Sequence, residues 1–596
     1  MDALTRPARK AKAADKPKAG DRAKAAQNKT AQDKAAQNKA AHNIKAAAPP
    51  ARGYPDLHDH VRALDEAGLL ITVDRPINKD TEMHPLVRWQ FRGGIEEKDR
   101  KAFLFTNVTD SKGRKYDIPV LVGGLAANRE IYRIGIGCPI EEIDARWVKA
   151  AQRPIPPRSV ENAPCHEIVT TGRRLDQPGH GLDGLPLPIS TPGWDIAPYA
   201  TLSQYITCDP DTGVQNMGNY RGQVKTRRRL GMNPSLELRP GIYNHWEKLR
   251  ARGYRKLPCA VVLGAPPCIT FASVQKLPEA LDELHVAGAL VGAPINVVKA
   301  KTVDLLVPAE AEIVIEGFID TEYLEPEAPF GESHGHVNLQ EFNAFMDVTA
   351  ITRRRDAILT SIISQVTPSE SSLIKRIGME PLFLSFLRDT LGVKGVKRVS
   401  MHEPLTNIRK VIALVCDRDM PTTEIWRALY GAAVLHRAAG KYVIAINDDI
   451  DPDNADALLW AMSYRANPSL DLHILPHRDQ GHGPRSRRNG GEDASVLIDA
   501  TLKEDFPPIS LPKREYMERA KAIWEELRLP RLKPQSPWFG YSLGEWSPGL
   551  DAAARSATRG DYFETGRQLE KRRRRDVRMN AEVRHVKERT PKSQPK

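Results

Sequence analysis

Hydrophobic and polar positions along the chain change their period twice. Between Asp56 and Leu70 apolar and charged residues alternate at helical spacing, and Leu70-Ile71-Thr72-Val73 then reads as a strand. Ala102–Phe105 and Ile118–Val122 predict further short strands, and 140–152 predicts a helix. Short strands alternating with helices predict an α/β domain over 53–165, ended by the link containing Pro154, Pro156 and Pro157. The stretch 166–365 is richer in strands. Cys259–Gly264 and Ile295–Val298 are continuous apolar runs, Ala311–Gly317 alternates in and out, and one helix runs from about Glu279 to Leu290. This pattern predicts a barrel or sandwich with helical insertions. Over 366–549 the pattern changes again. Leu373–Leu391 reads as helix, Val411–Val415 as a fully apolar strand, 421–439 as helix, Tyr442–Ile446 as strand and Asp453–Arg465 as helix. That order predicts buried parallel strands, closed by an amphipathic helix at 514–528.

Both ends of the chain break the pattern. Residues 1–50 carry nine Lys and three Arg against four Asp, and 567–596 carry twelve basic residues against four acidic ones. Of the formal net charge of +13, the body therefore holds about −3, so a high isoelectric point is no sign of a nucleic-acid groove. Residues 1–52 have almost no large apolar side chain and predict a disordered basic tail; 550–596 predict a second, flexible one. The first tail has no signal-peptide core, and Asp15, Asp21 and Asp33 argue against a transit peptide. No apolar run is long enough to span a membrane. The six cysteines form no Cys-x-x-Cys pair and are too sparse for a disulfide scaffold, which fits a reducing cytoplasm.

The candidate chemistry begins in Pro326-Glu327-Ala328-Pro329-Phe330-Gly331-Glu332-Ser333-His334-Gly335. Two carboxylates, Glu327 and Glu332, lie five residues apart in a loop stiffened by proline and opened by glycine. Such a pair suits proton transfer or metal binding; it also reads as a turn with two solvated glutamates. Asn216-Met217-Gly218-Asn219-Tyr220-Arg221 follows a strand at 203–208 and a turn at Asp209–Gly213. As a strand it places Asn216, Gly218 and Tyr220 on one side and Arg221 on the other; it equally reads as a plain hairpin with a surface arginine. His245 opens an amphipathic helix that ends near Gly253, where a histidine can also serve as a cap. Glu283 shares a helical stripe with Ala280, Ala287 and Leu290, which points its carboxylate inward, where it needs a cation or a metal; it also reads as a partly exposed glutamate at the edge of the stripe. Asparagine oxygen, histidine nitrogen and carboxylate oxygen together suit Mn²⁺ or Mg²⁺ better than zinc or copper.

The ordered set of these segments, with Val307–Gly317 and Asn447–Asp451, resembles the UbiD family of prenylated-flavin-dependent decarboxylases over most of 53–546. The resemblance implies an N-terminal α/β domain, a central flavin-binding split β-barrel and a C-terminal α/β domain used in oligomerisation. It implies that Asn216, His245 and Glu283 hold a divalent metal, usually Mn²⁺, against the flavin phosphate. It assigns Arg221, Glu327 and Glu332 to a catalytic Glu–Arg–Glu network, and Ser273 and Lys441 to cofactor contacts, with Gly218 and Asn244 beside the ligands. Gly218 stands where some relatives carry a small hydroxyl, and Asn244 where a glutamine occurs. The implied cofactors are prenylated FMN and Mn²⁺ or Mg²⁺, with K⁺ as a further candidate. The implied activity is reversible, non-oxidative decarboxylation of an aromatic, heteroaromatic or α,β-unsaturated acid. A flavin prenyltransferase would supply the cofactor, and the enzyme would be a cytoplasmic homodimer or larger homo-oligomer, without a nucleic-acid partner. Two other readings are a conventional flavin oxidoreductase and a non-catalytic partner that binds the modified flavin. The run Arg227-Arg228-Arg229 reads as a solvated strand end rather than an anion site, and neither tail has a counterpart in the family.

Overall fold

The computed structural model of the chain describes residues 52–583 except 235–239, 278–280, 437–438, 480–491, 505, 535–537, 539, 541–546, 576 and 582. The basic segment at 1–51, the start of the expected helix at Glu279 and the last thirteen residues lie outside the described residues. The chain folds into two compact units, one reaching Ser385 and including Glu403–Ile408, the other holding Phe386–His402, Arg409–Asp479 and the C-terminal part. The first unit holds both 53–165 and 166–365, and a four-stranded sheet joins the two stretches. Leu70–Val73 pairs parallel with Ala102–Phe105, which pairs antiparallel with Val120–Val122, and the last strand is Leu359–Ser361. The N-terminal sheet is thus completed from the far end of the middle region.

The central sheet runs in the order Gln215–Asn219, Gln204–Cys208, Lys256–Leu263, Ile313–Asp320, Phe345–Arg353, Arg229–Met232, Gly222–Thr226, Tyr199–Ala200. Its two ends are joined by very short links. Tyr199–Ala200 runs into Gln204–Cys208 across three residues, and Gln215–Asn219 runs into Gly222–Thr226 across two. Such links cannot span a flat sheet of this width. Taken as two kinked strands, 199–208 and 215–226, the order closes into a six-stranded antiparallel ring. The ladder breaks only at the kink, between Gln204↔Asn219 on one side and Ala200↔Gly222 on the other. The kink is stitched by Tyr220 N donating to Ser203 O at 3.1 Å and by Ser203 Oγ donating to Tyr220 O at 2.6 Å. Arg221 sits at this opening.

The apolar runs follow from burial on both faces. Cys259, Val261 and Leu263 enter one core with Ile313 and Ile315, while Ala260 and Val262 enter another with Phe271, Leu284, Ala287 and Trp147. The second core is formed by the helices Ile143–Gln152, Pro267–Ser273 and Glu283–Val291 packed on the barrel wall. A strand covered on both sides has no solvent face to alternate with.

The second unit carries the expected parallel strands. Val411–Cys416, Tyr442–Asn447 and Asp493–Asp499 run parallel, flanked by antiparallel Val396–Met401 and Leu472–Arg478. Thr422–Leu435 and Ala455–Arg465 are the crossover helices. The region read as a flexible tail from 550 forms helices instead, Pro548–Thr558 and Tyr562–Lys571. Local pairs such as Asp551 with Arg555 and Glu564 with Arg567 support them at helical spacing, and no residue of either is buried. Among the described residues no helix is long and apolar enough to cross a membrane, and all six cysteines are free.

Candidate active site

The barrel opening brings distant carboxylates onto one guanidinium. Glu327 ends the short strand Glu325–Glu327, which pairs with Glu341–Asn343. Phe330–Gly331 pairs with Val337–Asn338, and Glu332 heads the turn between them, its N–H donating to His336 O at 3.0 Å. Arg221 Nε donates to Glu327 Oε1 at 2.9 Å and Nη2 to Glu327 Oε2 at 2.7 Å, while Nη1 donates to Glu332 Oε2 at 2.7 Å. The reading of Glu327 and Glu332 as solvated turn residues is thereby replaced. Glu327 is fully buried, Arg221 is 7% exposed, and the Glu332 side chain is 15% exposed. Burial alone would lower the Arg221 pKa; the Glu327 hydrogen bonds and both negative charges outweigh it and hold the guanidinium above its ordinary value. The Phe330 ring lies 5.0 Å from the Arg221 guanidinium carbon, and Tyr199 packs on Phe330 at 4.4 Å. Glu332 Oε1 accepts from Ser333 N at 2.7 Å.

A second cluster forms on the same kinked strand. Glu283 is the first residue of the helix Glu283–Val291, capped by Asp282, and is 5% exposed. Its Oε1 accepts from Asn216 Nδ2 at 2.9 Å and its Oε2 from Met217 N at 2.8 Å. Burial pushes the Glu283 carboxyl up to about 8, against the lowering effect of the Met217 bond. Asn216 Oδ1 is buried without a hydrogen-bond partner. Residue 241 must be glycine for this approach: a Cβ there would come within 2.5 Å of Asn216 Cγ and Oδ1. His245 does not open its helix, as its sequence suggested. The helix is Gly241–Ala251, starting after Pro240, and His245 is buried in its second turn with Nδ1 2.8 Å from Thr207 Oγ1. Thr207 is the cross-strand partner of Asn216, so His245, bound to Thr207, and Asn216 belong to the same position of the barrel register. Among the described residues no three His, Cys, Asp or Glu side chains form a metal-binding group.

The remaining candidates fall into different places. Gly218 is buried, and a side chain there would collide with the Tyr220 hydroxyl. Asn244 lies in the first turn of the His245 helix, its N–H donating to Pro240 O. Ser273 ends the helix Pro267–Ser273, buried, with Oγ donating to Thr270 O at 2.9 Å. That helix packs on the strand carrying Asn216. Lys441 belongs to the second unit, where its ammonium is paired with Asp493 at 2.9 Å. The arginine run is paired rather than merely solvated: Arg227 with Asp183, Arg228 with Asp176, and Arg229 with Asp347 and Glu325. Thr207, Tyr199 and Asp195 escaped the sequence reading. Thr207 gave no signal beyond its place in a strand. Asp195, in Thr191-Pro192-Gly193-Trp194-Asp195, sits in the same kind of Pro/Gly-stiffened loop as the glutamates.

Comparison with known proteins gives the family and the fold. Residues 158–366 match the Rift-related domain of UbiD, 3-octaprenyl-4-hydroxybenzoate carboxy-lyase, and 376–500 match its C-terminal domain. An uncharacterised protein of Archaeoglobus fulgidus is 26% identical over 504 residues, covering 80% of this chain and 99% of its own. The UbiD-class enzyme HmfF of Pelotomaculum thermopropionicum, solved in complex with FMN, superposes with a TM-score of 0.66 at 28% identity, covering 78% of this chain and 99% of its own. Vanillic acid decarboxylase of Sedimentibacter hydroxybenzoicus in its closed form shares the fold, with a TM-score of 0.66 at 23% identity over 79% of this chain and 99% of its own.

Proposed function

The chain belongs to the UbiD family, and from that premise we propose that it catalyses reversible, non-oxidative decarboxylation of an aromatic, heteroaromatic or α,β-unsaturated acid with prenylated FMN and a divalent metal. The observation that carries this reading is the single arginine bridging Glu327 and Glu332 at the mouth of the barrel. A conventional flavin oxidoreductase has no use for such a bridge.

The second cluster fits a metal. Asn216 offers a buried oxygen without a partner, Glu283 a buried carboxylate whose raised pKa asks for a cation, and His245 a ring held by Thr207. Two oxygens and one nitrogen favour Mn²⁺ or Mg²⁺, and K⁺ stays a further candidate. These residues would hold the metal, and Ser273 would line the cofactor. The roles of Lys441, Gly218 and Asn244 rest on the family resemblance alone. HmfF, in an evolved dimeric form, was solved with prFMN, which supports the same cofactor here.

A bound prenylated flavin supplies the electron sink that no side chain offers. Arg221 presents N–H groups in a fixed fork and can orient the substrate carboxylate. Glu327 uses both oxygens on Arg221, so it serves as the standing counter-charge. Glu332 makes one bond to Arg221 and is the more accessible of the two, so it carries the proton: after CO₂ leaves, its carboxyl returns H⁺ to the carbon that lost it. The burial of Arg221 and Glu327 keeps their ion pair away from bulk water, while Glu332 stays open enough to regain a proton. We further infer a homodimer or larger homo-oligomer, a flavin prenyltransferase as cofactor source and a cytoplasmic setting.

The test is co-expression with a flavin prenyltransferase, then mass and absorbance of the bound flavin and metal analysis. A screen of aromatic, heteroaromatic and unsaturated acids for CO₂ release and solvent-deuterium exchange follows. A protein loaded with prenylated flavin and metal that neither decarboxylates nor exchanges any of these acids would overturn the reading.

A further inference from the structure

The turn that carries Glu332 is held from behind by Thr191–Tyr199. Asp195 is 8% exposed, and its Oδ1 accepts from Gly331 N at 2.9 Å while Oδ2 accepts from Thr191 N at 2.7 Å. Gly331 directly precedes Glu332. A side chain on Gly331 would collide with Thr191 Oγ1, so the Thr191 side chain packs directly on the Gly331 backbone. Tyr199 of the same segment packs on Phe330, the residue before Gly331. Among the described residues Asp195 has no salt bridge, although its charge is felt by Arg88; its oxygens accept from the Thr191 N–H of its own loop and from the Gly331 N–H 136 residues further along the chain. Burying a carboxylate without a paired cation costs free energy that a neutral amide would not, and what it supplies in return is short, charge-assisted bonds of fixed direction.

We propose that Asp195 is a positioning residue for Glu332. Its carboxylate fixes the Gly331 peptide, and that peptide sets the direction from which the Glu332 side chain meets Arg221 Nη1. Thr191 and Tyr199 complete the support, one against Gly331 and the other against Phe330. This deepens the proton-carrying role given to Glu332 and rests on it. Asp195 touches neither Arg221 nor Glu332 and takes no part in the chemistry itself. A proton carrier displaced by an ångström loses rate without loss of binding, and this sets the expected pattern.

The experiment uses full-length Asp195→Ala and Asp195→Asn proteins and two readouts. The first is amide hydrogen exchange over 327–336, which needs neither cofactor nor substrate. In the alanine variant exchange at Gly331 and Glu332 rises at least about tenfold, while the barrel strand 256–263 keeps its protection. The second is kinetics with an acid found in the screen. Here kcat falls roughly 10- to 100-fold with KM within about twofold, and flavin and metal content stay at wild-type levels. The asparagine variant keeps one acceptor and falls between. Unchanged exchange in the turn overturns the proposal, as does unchanged kcat, or a loss of rate that tracks loss of flavin. If no acid is turned over, the proposed reaction fails while the exchange measurement still decides whether Asp195 holds the turn; should the alanine variant not fold, the asparagine variant carries both readouts.

Discussion

Arg221 ties two glutamates that its geometry makes unequal. Glu327 gives both oxygens to the guanidinium in a dry site, whereas Glu332 gives one and is partly open. The two amide variants should therefore diverge. Glu332→Gln keeps shape but cannot cycle a proton, so turnover should fall about 10²–10⁴-fold with solvent-deuterium incorporation, while thermal stability, flavin and metal stay normal. Glu327→Gln turns an N–H group toward a buried cation and removes its main counter-charge. It should cost stability of order 3 kcal/mol in denaturant titration as well as rate. Near-wild-type turnover in Glu332→Gln would place the proton carrier elsewhere, and a fully stable Glu327→Gln would deny Glu327 its role as counter-charge.

Among the elements, the helix Gly241–Ala251 and the strand Gln215–Asn219 meet where a single atom decides the spacing. Gly241 has ordinary helical geometry, so alanine there would be tolerated by the backbone and favoured by helix propensity. The obstacle is Asn216, against which the new Cβ would press at 2.5 Å. Gly241→Ala should leave the melting temperature within about a degree or two yet lower metal and flavin retention together, read by metal analysis and absorbance. Full retention of both would separate Asn216 from the cofactor site. Glu283→Gln, which removes a candidate ligand outright, is the stronger companion and should lose both. The elements themselves were largely legible in the sequence, because apolar runs and helical spacing are local signals. The start of the His245 helix was not, since proline at its cap and glycine at its first position read as a loop.

Across the whole molecule, buried titratable groups set opposing slopes of stability against pH. His60 is buried, donates from Nε2 to Gly124 O at 2.6 Å, and burial lowers its pKa to about 4. The unfolded chain binds that proton near 6.5, so between about 6.5 and 4 stability falls as pH falls. His84, lowered to about 3 by burial, has the same sign. Glu370, raised to about 7 by burial, has the opposite sign: the folded state takes its proton first, which adds stability as pH falls from about 7 towards 4.5. Single variants separate these terms. His60→Gln keeps the donor to Gly124, and its stability relative to wild type should improve by up to ~1.4 kcal/mol per pH unit below 6.5, read from denaturant midpoints. A constant difference at pH 7 and 5 would mean that His60 does not stay neutral in the fold. The second unit leaves Ile523 50% exposed on a helix with no buried residue, and Leu527, which caps that helix, 64% exposed. If a second copy covers this face, Ile523→Glu with Leu527→Glu should lower the mass seen in sedimentation; an unchanged mass would place the contact elsewhere.

Composition and periodicity were enough to identify the strand-rich middle, the parallel strands of the second unit and the Pro/Gly-stiffened loop with its two carboxylates, since each depends on residues close together in the chain. The Asn216-to-Arg221 segment, Glu283 and the glutamates were nameable for their residue types and, as an ordered set, for their resemblance to a family. Their meeting was not visible, because it depends on a barrel that closes through two kinked strands and on a register that sets Thr207 across from Asn216. Whether Glu327 is a solvated turn residue or a buried counter-charge is a matter of what covers it, and the covering groups, Arg221 and Phe330, arrive by different routes: one from across the barrel and one from its own loop. Asp195 stayed unseen for the same reason. Its partner is a peptide N–H, which every residue but proline possesses, and only tertiary structure selects which one it meets.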